Sequence, residues 1–358
     1  MSLQRWLRLA AAVSITWLLV HTFFLPHNSV ALPILMSAHD NPNSDICRAH
    51  GWKPFRVAPD APPRKVYDLF MVSTELDWLE VRLNTTWDSV DYFVLVEASK
   101  TFTGLSKPLS VRDVFSSSSR FNTYRSKIIY HEIEYPDGFD PHSTWDYEDF
   151  QRNAMFTQVF PRLEGHQAPQ AGDVIVVSDV DEIARPSTLA KLRACQFPRR
   201  LTLRSRFYYY SFQFLHDGPE WAHPQATFYQ GPSRTVLPND LRMGLGFFLS
   251  LWWDRADMPS AAWHCSSCFA TVEEFLTKMA SFSHTGMNAD KFRDRARIAE
   301  RVRSGVDLWD RPGETFTRID DNQDVPGFLL DNRERFGYML SRDGPAAGFS
   351  DYDNGTTV

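Results

Sequence analysis

The residues best suited to chemistry are two aspartates separated by one residue, Asp179 and Asp181, followed directly by Glu182. They come immediately after the apolar run 174–177, which predicts a buried strand. In open α/β sheets, ligands bind at the carboxyl ends of strands, where side chains face a crevice. Carboxylate oxygens bind Mn²⁺ or Mg²⁺, and such an ion also bridges the oxygens of a diphosphate. The spacing therefore indicates a metal and diphosphate site, with a solvated acidic turn that caps a helix as the alternative.

The elements that must position these carboxylates alternate between strand and helix. Continuous apolar runs predict four buried strands, at 66–73, 91–98, 127–133 and 173–178. Apolar residues at helical spacing predict helices at 75–86 and 148–160. Such alternation is typical of βαβ units with right-handed crossovers. The sequence therefore predicts an α/β, Rossmann-like fold, with a mostly parallel sheet flanked by helices in a single catalytic domain.

The N-terminal segment indicates a membrane anchor. Residues 9–25 are mostly apolar, Arg5 and Arg8 precede them, and Pro26 ends the run. The run is at the short end of what a membrane span needs. Because the basic residues precede it, the positive-inside bias would place the remaining chain in the lumen. A cleaved signal peptide is the alternative, since it shares the basic start and apolar middle. Either segment would direct the chain into the secretory pathway.

The predicted organisation has five parts. They are a cytosolic tail at 1–8, a transmembrane signal anchor at 9–25, a Pro-rich stem at 26–64, a catalytic domain at 65–342 and a disordered tail at 343–358. Two glycosylation sequons, at Asn84 and Asn354, agree with a lumenal location.

Four cysteines allow three disulfide pairings, and the sequence does not choose among them. In an oxidising lumen Cys265 could pair with Cys268 across two serines, which would leave Cys47 to pair with Cys195.

Composition excludes some classes of protein. With 43% hydrophobic and 23% charged residues, the chain is not of the type that stays disordered. Its formal net charge of −6 argues against a nucleic-acid partner, because such proteins usually present a basic surface.

Several long motifs resemble glycosyltransferase family 17. They are ELDWLEVRLNTTWDSVDYFVLVEASKTFTGLSKPL at 75–109, SDVDEI at 178–183, AWHCSSCF at 262–269 and KMASFSH at 278–284. The resemblance extends over residues 65–340 in the same order. It implies a GT-A-like fold, a donor UDP-GlcNAc and dependence on Mn²⁺ or Mg²⁺. It further implies inverting transfer of N-acetylglucosamine, in β-1,4 linkage, to a mannose of a glycoprotein N-glycan. The implied location is the Golgi membrane, with type II topology and a lumenal catalytic domain.

The resemblance assigns the metal site first. Asp179 and Asp181 match the family's D-x-D pair and would hold the metal and the diphosphate. His264 is a candidate third ligand, although imidazole suits Mn²⁺ less well than carboxylate does and a core histidine is the alternative. His284 is a second, weaker candidate. Glu182 is expected beside the site or at a helix start.

Four further residues are predicted to bind the donor. Glu75 and Glu97 follow the first two strands and would contact the ribose or base, with a helix-start role as the alternative for Glu75. Lys107 and Arg152 are predicted diphosphate partners, since arginine suits bidentate phosphate contact. A surface salt bridge is the alternative for both.

Inverting transfer needs a general base near the acceptor hydroxyl. Four acidic residues are eligible by position: Asp217, Glu220, Asp254 and Asp257. Asp254 and Asp217 are the preferred candidates. Phe207–Tyr210 and Trp252–Trp253 are predicted to line the acceptor groove, with a buried strand as the alternative for the first run.

Other functions remain open. The acceptor could be another glycan, and a non-catalytic carbohydrate-binding protein would keep the same fold. A glycoside hydrolase is disfavoured, because its two carboxylates face each other across the bond, about 5–10 Å apart. A redox protein built on Cys265 and Cys268 is the weakest alternative.

Overall fold

A computed structural model describes residues 43–57, 60–246 and 253–353. The predicted tail at 1–8, the anchor at 9–25 and residues 26–42 and 58–59 of the predicted stem lie outside these ranges. Within the described ranges, no helix is both long and apolar enough to cross a membrane.

Twelve strands are found in the described residues. The first six are β1 (Lys53–Pro54), β2 (Val66–Met71), β3 (Tyr92–Glu97), β4 (Ile128–Glu132), β5 (Val174–Asp179) and β6 (Glu182–Ala184). The other six are β7 (Cys195–Gln196), β8 (Arg200–Tyr209), β9 (Ser211–His216), β10 (Gln225–Phe228), β11 (Arg255–Ser266) and β12 (Phe316–Arg318).

Helices cover the faces and ends of the strands. In chain order they are α1 (Asn43–Arg48), α2 (Leu76–Thr86), α3 (Ser110–Ser117), α4 (Thr144–Thr157), α5 (Pro186–Ala194), α6 (Pro238–Arg242), α7 (Val272–Ser281), α8 (Arg295–Ser304), α9 (Gly327–Asp331) and α10 (Arg333–Leu340). Short 3₁₀ segments lie between several of them.

The main sheet has the strand order β12-β9-β8-β10-β5-β2-β3-β4, and β11 adds to it by pairing with both β8 and β6. In one half, β5, β2, β3 and β4 are parallel neighbours. In the other half, β10, β8, β9 and β12 pair antiparallel, whereas β11 runs parallel to β8. The predicted α/β fold is confirmed, and its four predicted strands form the parallel half. The antiparallel half was not predicted.

Burial on both faces explains the continuous apolar runs of the parallel strands. Phe70 and Val176 pack into one hydrophobic cluster, whereas their neighbours Leu69 and Val177 pack into another on the opposite face. Successive strand side chains point to opposite faces, so nearly every residue of such a strand is apolar, and the exception in β2, Asp68, is paired with Arg82. The two clusters hold the carboxyl ends of β2 and β5 in a fixed relation.

The ordered structure begins before the predicted start at Lys65. Disulfide bonds join Cys47 to Cys195 and Cys265 to Cys268. The first bond ties α1, within the predicted stem, to β7, beside which β1 pairs. Proline-rich composition indicated a linker, but a covalent bond to the domain orders this part of it.

Part of the predicted disordered tail is packed onto the domain. Ala347 and Phe349 are buried, and the Asp351 carboxylate accepts hydrogen bonds from the backbone N–H groups of Val272 and Glu273. Asp351 thereby satisfies free N–H groups at the start of α7. The expectation of disorder is therefore wrong for residues 343–353, because tertiary partners order a segment whose composition favours loops.

Candidate functional site

A cleft of about 800 Å³ lies at the carboxyl ends of β2, β3 and β5. The segment that follows each strand contributes to its lining, and so do Asp179, Asp181 and Glu182. Strands β8, β9 and β11 and helices α4 and α7 supply the other walls. The predicted position of the acidic motif at a strand end facing a crevice is what the structure shows.

Arg82 fixes the backbone of the acidic turn, residues 179–182. This side chain on α2 is 1% exposed and pairs with both carboxylate oxygens of Asp68, at 2.8 and 2.5 Å. Its Nη1 donates to the backbone carbonyls of Asp179, at 3.1 Å, and Glu182, at 2.7 Å. Because these carbonyls lie on either side of Asp181, the guanidinium fixes the backbone that carries the motif.

Asp179 is paired with arginines. One carboxylate oxygen lies 2.6 Å from Nη2 of Arg242 on α6, and the other lies 3.4 Å from Nη2 of Arg152 on α4. The side chain of Asp179 is 37% exposed and lines the cleft. Its negative charge is therefore already compensated by protein groups, and this changes its predicted role as a metal ligand.

Glu182 organises the surroundings of the motif. Its buried carboxylate accepts hydrogen bonds from Arg242 at 2.7 and 2.9 Å, from Trp221 Nε1 at 2.7 Å and from the Asp179 N–H at 2.9 Å. Burial raises the pKa of this carboxyl, but the charge and hydrogen bonds of Arg242 outweigh burial and hold the pKa well below its usual range. Glu182 lies in β6, so the expected helix start at this residue is wrong, and its carboxylate bonds to the acidic motif itself.

Asp181 faces His264. The Asp181 Oδ1 lies 3.7 Å from His264 Nδ1, and this nitrogen is buried with no hydrogen-bond partner among the described residues. Burial raises the pKa of the Asp181 carboxyl, and the charges of His264 and Lys278 oppose that shift. The structure thus brings the predicted ligands together: Asp181 lies on the turn after β5, and His264 lies on β11.

The chemistry of this pair suits a divalent cation. Carboxylate oxygen and imidazole nitrogen are both metal ligands, and the His264 Nδ1 beside the Asp181 carboxylate has no hydrogen-bond partner in the described structure. No three acidic, histidine or cysteine side chains of the described residues group closely enough to hold a metal alone. A Mn²⁺ or Mg²⁺ ion here would therefore take its remaining ligands from phosphate oxygens and water.

Cationic side chains line the cleft around the motif. Lys107 Nζ and Arg152 Nε are buried without a hydrogen-bond partner in the described residues. Burial lowers the pKa of Lys107, while Glu97 and Glu75 oppose the shift. Buried polar atoms are normally paired, so the Lys107 ammonium indicates an anionic ligand. The Arg152 guanidinium already pairs with Glu148 and Asp179, and only its Nε is left for a further acceptor. The predicted diphosphate role of both residues fits this geometry.

The two predicted nucleoside residues differ. Glu75 lines the cleft, although its carboxylate also accepts from the N–H groups of Ser73 and Thr74. Glu97 is fully buried outside the cleft lining. Its carboxylate accepts from two N–H groups at the start of α3, those of Val111 and Arg112, and from Tyr130 Oη. A donor-binding role for Glu97 is therefore wrong, because helix α3 has taken its carboxylate.

Neither preferred general base lines the cleft. Asp217 is exposed and accepts a hydrogen bond from Thr317 Oγ1 at 2.5 Å, and Asp254 also lies outside the lining residues. Asp257 is engaged by Arg204 at 2.5 Å. Of the four eligible acids only Glu220 lines the cleft, so the preference for Asp254 and Asp217 is corrected.

Only some of the aromatic residues that were predicted to line the acceptor groove do so, because successive side chains of strand β8 point to opposite faces of the sheet. Phe207 and Tyr209 line the cleft, whereas Tyr208 and Tyr210 lie outside its lining. Trp253 is 73% exposed and outside the lining, and Trp252 lies outside the described residues.

Two further residues that the sequence suggested for the site, Trp263 and His284, differ in their surroundings. Trp263 is buried in the core, with Nε1 donating to Asp324 at 3.0 Å. His284 lines the cleft, but its ring packs edge-on against Trp145, away from the Asp181 pair.

Sequence reasoning missed several residues of the site. Arg242 and Trp221 carry no local signal, because they reach the motif from segments tens of residues away. Glu148, one turn before Arg152 on α4, pairs with it at 2.7 Å, and this spacing along a helix could have been noticed. Lys278 lines the cleft and begins the KMASFSH motif, but it was not named as a candidate site residue.

A model of glycosyltransferase family 17 matches residues 23–344. The beta-1,4-mannosyl-glycoprotein 4-beta-N-acetylglucosaminyltransferase of Homo sapiens is 26% identical over 312 residues, which are 80% of this chain and 56% of that relative. The protein of the same name from Rattus norvegicus is 25% identical over 312 residues, with the same coverage. The chain thus spans a little over half the length of these curated relatives.

A solved structure was also found to be similar. The mannosyltransferase PcManGT from Pyrobaculum calidifontis, in complex with GDP-Man and Mn²⁺, has a TM-score of 0.34 and 12% sequence identity. The similarity covers 72% of this chain and 69% of that one.

Proposed function

Because the chain belongs to glycosyltransferase family 17, we propose that it transfers N-acetylglucosamine from UDP-GlcNAc to a mannose of a protein-linked N-glycan. The linkage in this proposal is β-1,4 and the transfer inverts the anomeric carbon. The similar mammalian enzymes are named for transfer of N-acetylglucosamine to a mannosyl-glycoprotein, which supports the transferred sugar and the acceptor.

The observation that carries the proposal is the charge arrangement of the cleft. Two unpartnered cationic atoms, Lys107 Nζ and Arg152 Nε, line the same cleft as the Asp181–His264 pair. A nucleoside diphosphate with a divalent cation matches both features, because its phosphates pair with the cations and share the metal. A neutral glycan alone would leave the buried Lys107 ammonium without an anionic partner.

In this arrangement Asp181 and His264 would hold the metal, and Asp179 positions the arginines. The bound ion supplies charge compensation to the leaving diphosphate. Lys107 and Arg152 bind the phosphate oxygens, and Glu75 lies at the end of β2, where the nucleoside would bind.

The transfer step needs a base on the acceptor side of the cleft, and we assign it to Glu220. The acceptor hydroxyl oxygen attacks the anomeric carbon while the bond from that carbon to the β-phosphate oxygen breaks. UDP leaves with the electron pair of this bond, and the hydroxyl proton goes to the Glu220 carboxylate. Glu220 is held by Ser260, whose Oγ donates to it at 2.7 Å and whose N–H donates at 3.1 Å.

The proposal extends to location. Two disulfides suit an oxidising lumen, and the apolar run at 9–25 would anchor the chain in the Golgi membrane with type II topology.

The function is tested by incubating the purified chain with UDP-GlcNAc and a released, fluorescently labelled N-glycan, with and without Mn²⁺. We expect a metal-dependent product one N-acetylglucosamine heavier, whose linkage is then read by NMR. If no UDP-sugar binds or turns over, the carbohydrate-binding alternative replaces the transferase. If UDP-GlcNAc is consumed but only other glycans accept the sugar, the acceptor assignment alone is wrong.

The metal assignment predicts different outcomes for the two aspartates. Asp181→Asn is expected to weaken Mn²⁺ binding by about 100-fold or more. Even residues that only hydrogen-bond to a metal ligand cost about 10–100-fold in metal affinity when they are replaced. Asp179→Asn is expected to change Mn²⁺ affinity by less than about threefold, because its carboxylate is paired with Arg242. Mn²⁺ binding is measured by electron paramagnetic resonance in the presence of UDP, whose phosphates supply the remaining ligands. Equal losses in both variants would contradict this division of roles.

A further inference from the structure

The indole ring of Trp221 is presented to the cleft. Two of the exposed aromatic side chains in the described residues line the cleft, Trp145 and Trp221, and the latter is 37% exposed. Trp145 belongs to α4, whereas Trp221 belongs to the segment between β9 and β10. Exposing a large aromatic surface to water is unfavourable, so such a ring in a cleft indicates a ligand with an apolar face.

Trp221 is held rigidly. Its Nε1 donates to Glu182 Oε1 at 2.7 Å, and its ring packs against His264 and Phe207 with centroids 5.3 and 5.6 Å away. The ring planes differ by 20° from His264 and by 33° from Phe207. Its backbone N–H and C=O both pair with Ser205. A ring fixed in this way is preorganised, and little conformational entropy is lost when a ligand packs on it.

The position of Trp221 relates it to the acceptor. It follows Glu220, the base in the proposed reaction, and it packs on His264, which faces Asp181. The acceptor hydroxyl has to reach both the base and the anomeric carbon of the donor. Glu220 and Trp221 both line the cleft, so a sugar ring whose hydroxyl reaches Glu220 can also contact Trp221. The donor-binding cations, by contrast, lie on the segment after β3 and on α4.

We propose that Trp221 is the acceptor-binding platform, on whose exposed face the mannose ring of the acceptor packs, and that Glu182 is its positioning residue. A pyranose presents C–H groups on its faces, and the negative face of an aromatic ring attracts such positively polarised edges. The inference rests on the proposed function, because it assigns the acceptor half of the same cleft. Glu182 thereby links the acceptor platform to Arg242 and to the acidic turn.

The test compares Trp221→Leu with Trp221→Phe, and uses Trp145→Leu as the matched variant of the other exposed tryptophan in the cleft. Trp221→Leu is expected to raise the KM for the labelled N-glycan about tenfold, the scale of a lost aromatic contact. Trp221→Phe keeps an aromatic face and is expected to fall between wild type and Trp221→Leu. Trp145→Leu is expected to leave the acceptor KM unchanged.

Measurements on the donor alone distinguish whether Trp221 binds the acceptor or only supports the structure of the site. The slow hydrolysis of UDP-GlcNAc without acceptor and the Mn²⁺ affinity are measured in Trp221→Leu beside the acceptor KM, and each is expected to fall by a smaller factor than that by which the acceptor KM rises. If both fall together with transfer, Trp221 supports the metal pair through His264 and the proposal is overturned. Equal increases in KM for the two tryptophan variants would overturn it as well.

A binding measurement keeps the inference separate from the proposed function. Saturation-transfer NMR with methyl mannoside is expected to show contact to one face of the sugar in wild type and in Trp145→Leu, but not in Trp221→Leu. If this contact is present while UDP-GlcNAc neither binds nor reacts, the platform stands and the proposed transferase reaction fails. If UDP-GlcNAc is turned over but the contact survives in Trp221→Leu, the transferase stands and the platform fails.

Discussion

Glu220→Gln is expected to lower kcat for N-acetylglucosamine transfer by about 10²–10⁴-fold, the usual contribution of a positioned general base. Glutamine has the size and shape of glutamate and retains an oxygen for the hydrogen bonds from Ser260, so the segment that carries it should stay in place. An amide, however, cannot take up the proton of the acceptor hydroxyl. The loss should therefore fall on the chemical step.

The measurement is steady-state transfer to the labelled N-glycan together with binding of UDP-GlcNAc by calorimetry. Donor affinity is expected to stay at the wild-type value, since Glu220 belongs to the acceptor side. Asp217→Asn and Asp254→Asn serve as controls and should retain nearly full kcat, because neither side chain lines the cleft. If either control loses activity on the scale given for Glu220→Gln while Glu220→Gln remains active, the base is misassigned.

Arg82→Met is expected to reduce the free energy of unfolding by about 3–5 kcal/mol, the usual result of removing one partner of a buried ion pair. The Arg82 side chain is 1% exposed and the Asp68 side chain is 4% exposed, so neither charge has water to replace its partner. Methionine fills much of the volume but leaves Asp68 unpaired. It also leaves the backbone carbonyls of Asp179 and Glu182 without their donor.

Urea unfolding of the purified variants measures this effect. Removing the acid as well, in Arg82→Met with Asp68→Leu, should recover the part of the loss that comes from the unpaired Asp68 charge. The part due to the unpaired carbonyls should remain. Arg162→Met is the matched control, since the ion pair of Arg162 with Glu134 is exposed, and it should leave stability almost unchanged. A loss in Arg82→Met no greater than in Arg162→Met would show that the buried pair does not stabilise the fold.

The consequence for the site distinguishes Arg82 from a residue that only stabilises the core. Its guanidinium binds the backbone on both sides of Asp181, so its loss should also weaken Mn²⁺ binding in the fraction that remains folded. The same side chain therefore connects the stability of the parallel half to the geometry of the acidic turn.

The sequence by itself determined the parallel half of the fold and the place of its acidic motif. A strand buried on both faces is apolar at nearly every position, so the runs ending at Met71, Glu97 and Asp179 could be recognised without tertiary information. Polar residues directly after such runs lie at the edge where ligands bind. Asp181 and Glu75 were found in this way, whereas Lys107 was chosen within a segment that resembles the family, and all three line the cleft.

Only the tertiary structure decided which partner each of these side chains has. Glu97 follows a predicted strand just as Asp179 does, but the start of α3 takes its carboxylate, and this depends on how that helix docks. The base changed from Asp254 and Asp217 to Glu220 because only the last lines the cleft.

The partners of the acidic motif were decided in the same way. Asp179 meets Arg242 and Glu182 meets Trp221 because the segments around β10 bring these residues back across the sheet. The physical reason is that burial and periodicity act on neighbours in the chain and can be recognised locally. Hydrogen bonds and ion pairs between distant segments exist only once the sheet has assembled and brought their atoms within a few ångströms of one another.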